Sequence, residues 1–451
     1  MDVLHLCHQF APETRGGVES YVQDLIEAQH AAGHDVQVLT GSQAPWPEVG
    51  IELLRHGPGS VPVHRLHRDD LFFDLYSKSW HPGVEALLEA FLRRHRPKVV
   101  HVHQWIRLTT NLVEIVQRAG LPAIVTLHDY YTSCPHAFRL RPDGSACFRN
   151  LSPASCLDCV PRYGHERDAE LAAGIELFAD QGRAELTMAD AVLVGVASTA
   201  DLIANTLGLP RELFAVLSLG YRRRFPGLPP LPAPDPVGPF RFAFWGGVAP
   251  HKGLRVLTAA LRELVRAPLP RPVELHVLGG FATPAFEAEL REQARGLPIV
   301  FHGRFATEDL RRLRPAVGVF PSTCLETFGI VLDECFELGL PCIVSDRGAL
   351  AVRVGDGGLC APAGDATALA AAMRRFLDEP GLWARLRQHL PALPPELEQH
   401  VSDLDAVYGA AAARRAAAGP PTGGIPLPQR VRVLLAQRES ALARLPVDDR
   451  R

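Results

Sequence analysis

No run of 18 uninterrupted apolar residues occurs in the chain, so nothing in it reads as a transmembrane helix. A basic surplus is missing too: 47 lysines and arginines face 50 aspartates and glutamates, a net charge of −3. Proteins that grip nucleic acid usually show a strongly basic face, so nucleic acid is not an expected partner. The start, Met1-Asp2-Val3-Leu4, puts an acid where a signal peptide wants basic residues. The expected compartment is therefore the cytoplasm. No Gly-x-Gly-x-x-Gly fingerprint opens a helix, which counts against a dinucleotide enzyme. No Asp-x-Asp stands where it suggests a divalent ion.

What is present is apolar, alternating and long. With 451 residues and 47% hydrophobic content, the chain exceeds one ordinary core, and two domains are expected. Apolar period switches repeatedly between strand and helix. Residues 2–10 read as a strand; from Gly17 a helix puts Val18, Tyr21, Val22, Leu25 and Ile26 on one face. Strand and helix pairs then recur up to the strand Ala191–Val196. Seven prolines in the fourteen residues Pro226–Pro239 cannot continue a helix or a central strand, so they mark a linker. Alternation restarts with Phe240–Trp245, Val273–Leu278, Ile299–His302, Val317–Phe320 and Pro341–Ser345. The expectation is α/β, with two Rossmann-like domains, 1–225 and 240–396, facing each other across a cleft. Residues 397–410 read as a helix returning to the first domain. The tail 411–451, with eight arginines against three acids, reads as flexible and ending in a short helix, Val431–Leu445; its membrane contact is at most peripheral.

The segment with the most chemistry is Glu326-Thr327-Phe328-Gly329-Ile330-Val331-Leu332-Asp333-Glu334, after the apolar run Val317–Phe320. Two carboxylates flank a helix start, the second read as two turns into the helix. Ligands of parallel α/β sheets settle at the carboxyl ends of strands, against helix N-termini. A carboxylate there suits a vicinal diol, since it accepts two hydrogen bonds. Two glutamates alone would more simply be a solvated helix face. Pro321-Ser322 before them, Gly329 and the stop at Gly339-Leu340-Pro341 favour the sugar-binding reading. Gly16-Gly17 at the first helix start lets backbone N–H groups approach a phosphate, although a tight turn needs no more. Lys252, at a helix start, is disfavoured by the helix dipole without an anionic ligand. His128, at the end of the strand Ala123–Leu127, and Asp129 are cleft candidates. Of His101 and His103 on one strand face, one reads as a satisfied core histidine and His103 as the better cleft candidate.

This pattern resembles the glutamate–seven residues–glutamate motif of the retaining glycosyltransferases of family 4, which have the GT-B fold. The loop His8–Glu19, Leu127-His128-Asp129-Tyr130, His251-Lys252-Gly253, and Gly357-Gly358-Leu359 with Gly364-Asp365 follow in that family's order. The similarity covers roughly residues 1 to 410. It implies a UDP- or GDP-sugar donor and a glycan, lipid-linked or small-molecule acceptor. It implies metal-independent chemistry, because helix dipoles and basic side chains serve the diphosphate. Glu326 and His128 then lie near the transferred sugar. Glu334, Phe328, Gly329, Lys252, Gly16 and Gly17 then bind the nucleotide sugar, with Glu334 on the ribose. An acceptor of polysaccharide or lipid-linked type would place the work at the inner membrane face. One departure stands out: Gly247 replaces the family's arginine, leaving His251, Arg347 or another basic residue to compensate. Two alternatives stay open, a nucleotide-sugar 2-epimerase of the same fold and a non-catalytic sugar-nucleotide binder.

Cysteines fall into two sets. Cys7, Cys324, Cys335, Cys342 and Cys360 read as small buried hydrophobes in a reducing compartment. Cys134, Cys147, Cys156 and Cys159 crowd into 26 residues of the long loop 131–165. They offer the ligand count of a structural zinc or an iron–sulfur cluster; reduced cysteines packed in a loop are the equal alternative.

Overall fold

The computed structural model describes all residues except 15, 43, 45–47, 55–60, 70–79, 161–167, 419–424, 428, 432–434 and 436–451. The chain divides into two compact units. One comprises Met1–Arg139, Phe148–Gly220 and the segment from Pro395 onward; the other comprises Leu140–Cys147 and Tyr221–Pro394.

The first unit is built on eight strands. These are β1 Asp2–Cys7, β2 Asp35–Gly41, β3 Gly50–Leu54, β4 Val63–His67, β5 Val99–Val102, β6 Ala123–Leu127, β7 Ala191–Val194 and β8 Phe214–Val216. Their order is β3-β4-β2-β1-β5-β6-β7-β8, and only the edge strand β3 runs antiparallel to its neighbour. β1 is fully flanked and its last five residues are buried, as expected of a central parallel strand. The helix Gly17–Ala31 buries Tyr21, Val22, Leu25, Ile26 and Gln29. That stripe follows the 3.6-residue period, with the polar Gln29 one turn beyond Leu25. The helix Leu397–Ala417 belongs to this unit and packs on Gly17–Ala31. It runs seven residues beyond the sequence-based end at 410, because Ala411 and its alanine-rich neighbours are strong helix formers. Past it, the buried Arg430 pairs with Glu114 of the same unit. Most of the expected helix Val431–Leu445 lies outside the described residues.

Six parallel strands form the second unit: β9 Phe240–Trp245, β10 Val273–Leu278, β11 Ile299–Gly303, β12 Val317–Phe320, β13 Cys342–Ser345 and β14 Gly358–Ala361. The order β11-β10-β9-β12-β13-β14 reverses direction between β9 and β12. Its core includes Phe242, Ala243, Leu257, Leu261, Val317, Leu332 and Ile343. The proline-rich stretch lies on this unit: the Leu231 N–H donates to the Leu338 carbonyl at 2.8 Å, and Arg387 Nη1 donates to the Leu231 carbonyl at 2.6 Å. Four of the scattered cysteines are buried, but Cys360 is exposed, because β14 is an edge strand and turns it outward.

Candidate functional site

In the second unit the point of strand reversal is where two loops meet. β9 ends at Trp245 and leads through Gly246–Gly253 into the helix Leu254–Leu264. β12 ends at Phe320 and leads through 321–330 into the helix Val331–Leu338. Lys252 Nζ donates to Glu326 Oε1 at 2.6 Å, and Ser322 Oγ donates to the same oxygen at 2.7 Å. Trp245 Nε1 donates to Glu334 Oε2 at 2.6 Å. Both glutamates are half-buried. The structure therefore assembles Lys252, Glu326 and Glu334 at the carboxyl ends of adjacent strands, where open α/β sheets take their ligands.

Close backbone approach shapes these loops. Gly253 has φ +78°, and a Cβ there would lie 1.9 Å from the Pro321 carbonyl oxygen. Gly348, with φ +62°, leaves room for the Glu326 backbone, whose carbonyl accepts from the Ala349 N–H at 2.7 Å. By contrast, a Cβ on Gly247 would meet nothing within 4 Å.

Charge is arranged unevenly across the site. Burial raises the Glu326 carboxyl, but the Lys252 ammonium and the bonds from Lys252 and Ser322 outweigh it and hold the group below its ordinary range. His251 is pushed down to about 4 by burial and the adjacent Lys252 charge, so its imidazole is neutral. Glu334 goes the other way. Burial lifts it to about 7 against the Trp245 bond and the Arg224 charge, with Asp333 and Glu337 adding to the rise. Its helix starts at Val331, so Glu334 sits in the first turn and not two turns in, because the loop stays open through Ile330. An anion in that turn faces the favourable end of the helix dipole.

Phe328 is buried, its ring 3.7 Å from the Arg353 guanidinium carbon. Arg353 Nη1 donates to the carbonyls of Phe328 and Gly329 at 3.0 and 3.1 Å and pairs with the buried Asp333. The Phe328 side chain thus braces the loop.

In the first unit His128 is half-buried beyond β6, and His103 Nδ1 lies 2.9 Å from its Nε2. His103, expected on the ligand side, is 1% exposed and stands behind His128, because β5 carries it into the sheet interior beside His101. Asp129 is raised to about 6 by burial, opposed by the Tyr131 N–H and the Gln104 amide. Gly16 and Gly17 open the first helix as expected. Gly16, however, leaves space for the helix's own Glu19: a Cβ there would lie 2.6 Å from Glu19 Oε2. Backbone N–H groups of Glu19 and Gly16 serve that carboxylate, so a side-chain anion occupies the helix start.

The four clustered cysteines divide between the units, Cys147 with the second and Cys134, Cys156 and Cys159 with the first. Among the described residues, one group of three or more side chains has the spacing of a metal site, His5, His101 and His103. What supports the cysteine loop is the buried Arg139. It donates to the Ser133 carbonyl at 3.0 Å, the Ser133 hydroxyl at 3.2 Å and the Arg149 carbonyl at 2.6 Å. Sequence reading missed Trp245 and Gln29, and took Ser322 only as part of the loop before Glu326, not as its partner. Each is a polar group on an apolar element or loop, and only the fold supplies its partner.

Known proteins match both units. Residues 16–220 match the family described as glycosyl transferase 4-like domain, and residues 239–379 match glycosyl transferases group 1. The chain is 29% identical over 388 residues to a phosphatidyl-myo-inositol mannosyltransferase of Mycolicibacterium smegmatis, covering 82% of this chain and 83% of that one. It is 26% identical over 405 residues to a glycogen synthase of Mycobacterium tuberculosis, with 84% and 87% covered. Among solved structures, sucrose-phosphate synthase from Thermosynechococcus elongatus aligns with TM-score 0.58 at 21% identity, covering 93% of this chain and all of that one (100%). The catalytic domain of starch synthase IV from Arabidopsis thaliana, bound to ADP and acarbose, aligns with TM-score 0.60 at 14% identity over 92% and 99%. No described helix is long and apolar enough to cross a membrane. The matched families, the two parallel-sheet units and the glutamate pair at the strand reversal lead to one assignment: the chain belongs to the family 4 glycosyltransferases of the GT-B fold.

Proposed function

We propose that the protein transfers a hexose from a UDP- or GDP-sugar to a glycan, lipid-linked or small-molecule acceptor, with retention of the anomeric configuration. The observation that carries this reading is the pairing at the β9–β12 reversal, Lys252 with Glu326 and Trp245 with Glu334. Glu334 accepts the ribose hydroxyls, with Trp245 holding one carboxylate oxygen in place. Lys252 leaves Glu326 for the diphosphate when the donor binds, and Glu326 turns to the transferred sugar. Phe328 and Gly329 contribute backbone to the nucleotide side. His128 serves the sugar or the acceptor. Gly16 and Gly17 serve a phosphate once the Glu19 carboxylate has moved aside.

Chemically, the site supplies positioning and charge, not a general base of its own. The leaving diphosphate takes the acceptor proton on the face it departs from. Lys252 and the helix start at Val331 stabilise the negative charge that develops there. This arrangement needs no divalent ion.

Two features support the choice of substrates. Anabaena HepE, in complex with UDP and glucose, aligns with TM-score 0.57, covering 93% of this chain and 100% of its own. The mannosyltransferase relative is named for a phosphatidyl-inositol acceptor, which favours a lipid-linked acceptor met at the cytoplasmic face of a membrane. A structural zinc or iron–sulfur cluster on Cys134, Cys147, Cys156 and Cys159 is a separate proposal, supported only by thiol number and spacing. Near one equivalent of metal by elemental analysis would uphold it, and under about a tenth would end it.

Turnover tests the main reading. The protein is incubated with a panel of nucleotide sugars and acceptors, and the product linkage is assigned by NMR. A retained anomeric centre is the expected result; an inverted one refutes the mechanism. Turnover of the donor without acceptor would indicate an epimerase. Tight binding without any turnover would indicate a non-catalytic binder, the reading that Gly247 favours.

A further inference from the structure

Behind His128 runs an unbroken hydrogen-bonded chain. His128 Nε2 lies 2.9 Å from His103 Nδ1, and His103 Nε2 lies 2.9 Å from His5 Nδ1. His5 Nε2 lies 2.7 Å from Gln29 Oε1. From the other side of that amide, Gln29 Nε2 donates to the Tyr408 hydroxyl at 3.2 Å. Tyr408 in turn meets His101 Nδ1 at 2.8 Å, and His101 Nε2 meets Thr126 Oγ1 at 2.7 Å. Gln29, His5, His101 and Tyr408 are fully buried (0% exposed), and His128 is the one member that reaches the surface.

A neutral imidazole has one donor nitrogen and one acceptor nitrogen, so fixing one end of such a chain fixes every ring in it. Burial keeps these rings neutral: His5 is pushed down to about 4, His128 to about 3, and His101 and His103 well below the usual range. The Gln29 carbonyl faces His5, so His5 carries its proton on Nε2 and accepts at Nδ1. His103 must then donate from Nε2 and accept at Nδ1. His128 must donate from Nε2, leaving its Nδ1 as an acceptor. Turning the Gln29 amide over would reverse every one of these bonds and put the proton of His128 on Nδ1.

We infer that Gln29, through His5 and His103, sets which nitrogen of His128 carries the proton, and so positions His128 as an acceptor at Nδ1. This rests on the reading of His128 as a residue of the transfer site. Two other uses of the cluster fail on the same geometry. His5, His101 and His103 have the spacing of a metal site, but both nitrogens of each ring already have protein partners. A proton-conducting wire would end on an amide, which does not pass protons on. Gln29 is therefore a positioning residue, acting through two imidazoles from the helix Gly17–Ala31.

Protein labelled with 15N-histidine tests this directly, by long-range 1H–15N correlation of the His128 ring, assigned against His128→Gln. The wild type should show the proton on Nε2. Gln29→Glu, whose carboxylate also accepts from His5, should keep that tautomer and keep kcat within about threefold. Gln29→Leu should give mixed tautomers at His128 and lower kcat about tenfold, with the donor KM changed less than about twofold. A wild-type His128 protonated on Nδ1, or a tautomer that Gln29→Leu leaves unchanged, would overturn the inference. Should Gln29→Leu fail to fold, the wild-type and Gln29→Glu spectra decide it. Should His128→Gln prove fully active, the role of His128 in transfer fails, while the spectra still report on the coupling.

Discussion

Trp245 Nε1 donates to Glu334 Oε2 at 2.6 Å, joining the last residue of β9 to the first turn of the helix after β12. That bond locks the carboxyl group in place at the strand reversal, yet burial still lifts its pKa to about 7. A nucleotide whose ribose hydroxyls donate to Glu334 needs the carboxylate. Between pH 6 and pH 8 the ionised fraction grows, so nucleotide affinity should rise about tenfold. Calorimetric titrations across that range should show the rise in wild type and a flat line in Glu334→Gln. The stability consequence has the opposite sign. A carboxyl raised from 4.5 favours the folded state most below its ordinary range, and that contribution is lost as the pH climbs through 7.

Gly253 and Gly247 should respond very differently to a methyl group. At Gly253, φ is +78° and the added Cβ would lie 1.9 Å from the Pro321 carbonyl oxygen. Gly253→Ala should cost about 2–3 kcal/mol of unfolding free energy in urea. Gly247→Ala, with nothing within 4 Å, should stay within about 0.5 kcal/mol of wild type. Equal losses at both sites would mean that the β9 loop is not packed against Pro321 as described.

The same open space makes Gly247→Arg informative. A Cβ there meets no neighbour within 4 Å, and an arginine would restore the cation that the family usually carries. A charge-assisted bond to a diphosphate is worth about 1.5–3 kcal/mol. Affinity for a nucleoside diphosphate should therefore increase at least about tenfold by calorimetry. An unchanged affinity would place the diphosphate elsewhere.

Much of this architecture is written in periodicity. The central strand β12 is a continuous apolar run, β1 and β9 are apolar apart from Asp2, His5 and Arg241, and the helix Gly17–Ala31 shows its buried face in Tyr21, Val22, Leu25 and Ile26. Edge elements were illegible for a physical reason. β3 has no buried residue, and β8 and β14 bury only one residue each, so no apolar period marks them. The site was half legible. Glu326, Glu334 and Lys252 sit in a recognisable order of motifs, whereas their partners Ser322 and Trp245 are ordinary residues until the fold brings them near. Gln29 follows the stripe of Tyr21 and Leu25 at four-residue spacing, and a polar residue there signals a buried bond. Its partner Tyr408, 379 residues away in sequence, could not be read from the chain. For Cys134, Cys147, Cys156 and Cys159 the spacing suggests a ligand set, whereas the bonds from the buried Arg139 to the Ser133 and Arg149 carbonyls of that loop had no signal in the sequence.

The most direct test of the account is a calorimetric titration of nucleoside diphosphates into wild type, Glu334→Ala and Glu326→Ala, paired with steady-state kinetics. Losing charge-assisted bonds made alike in ground and transition states should weaken nucleotide binding by Glu334→Ala about ten- to a hundredfold, with KM for the donor rising more than kcat falls. Glu326→Ala should do the reverse, lowering kcat while nucleotide affinity stays within about threefold. A Glu334→Ala protein that binds every nucleoside diphosphate as wild type does would contradict the account, leaving Glu334 a helix residue held by Trp245 and nothing more.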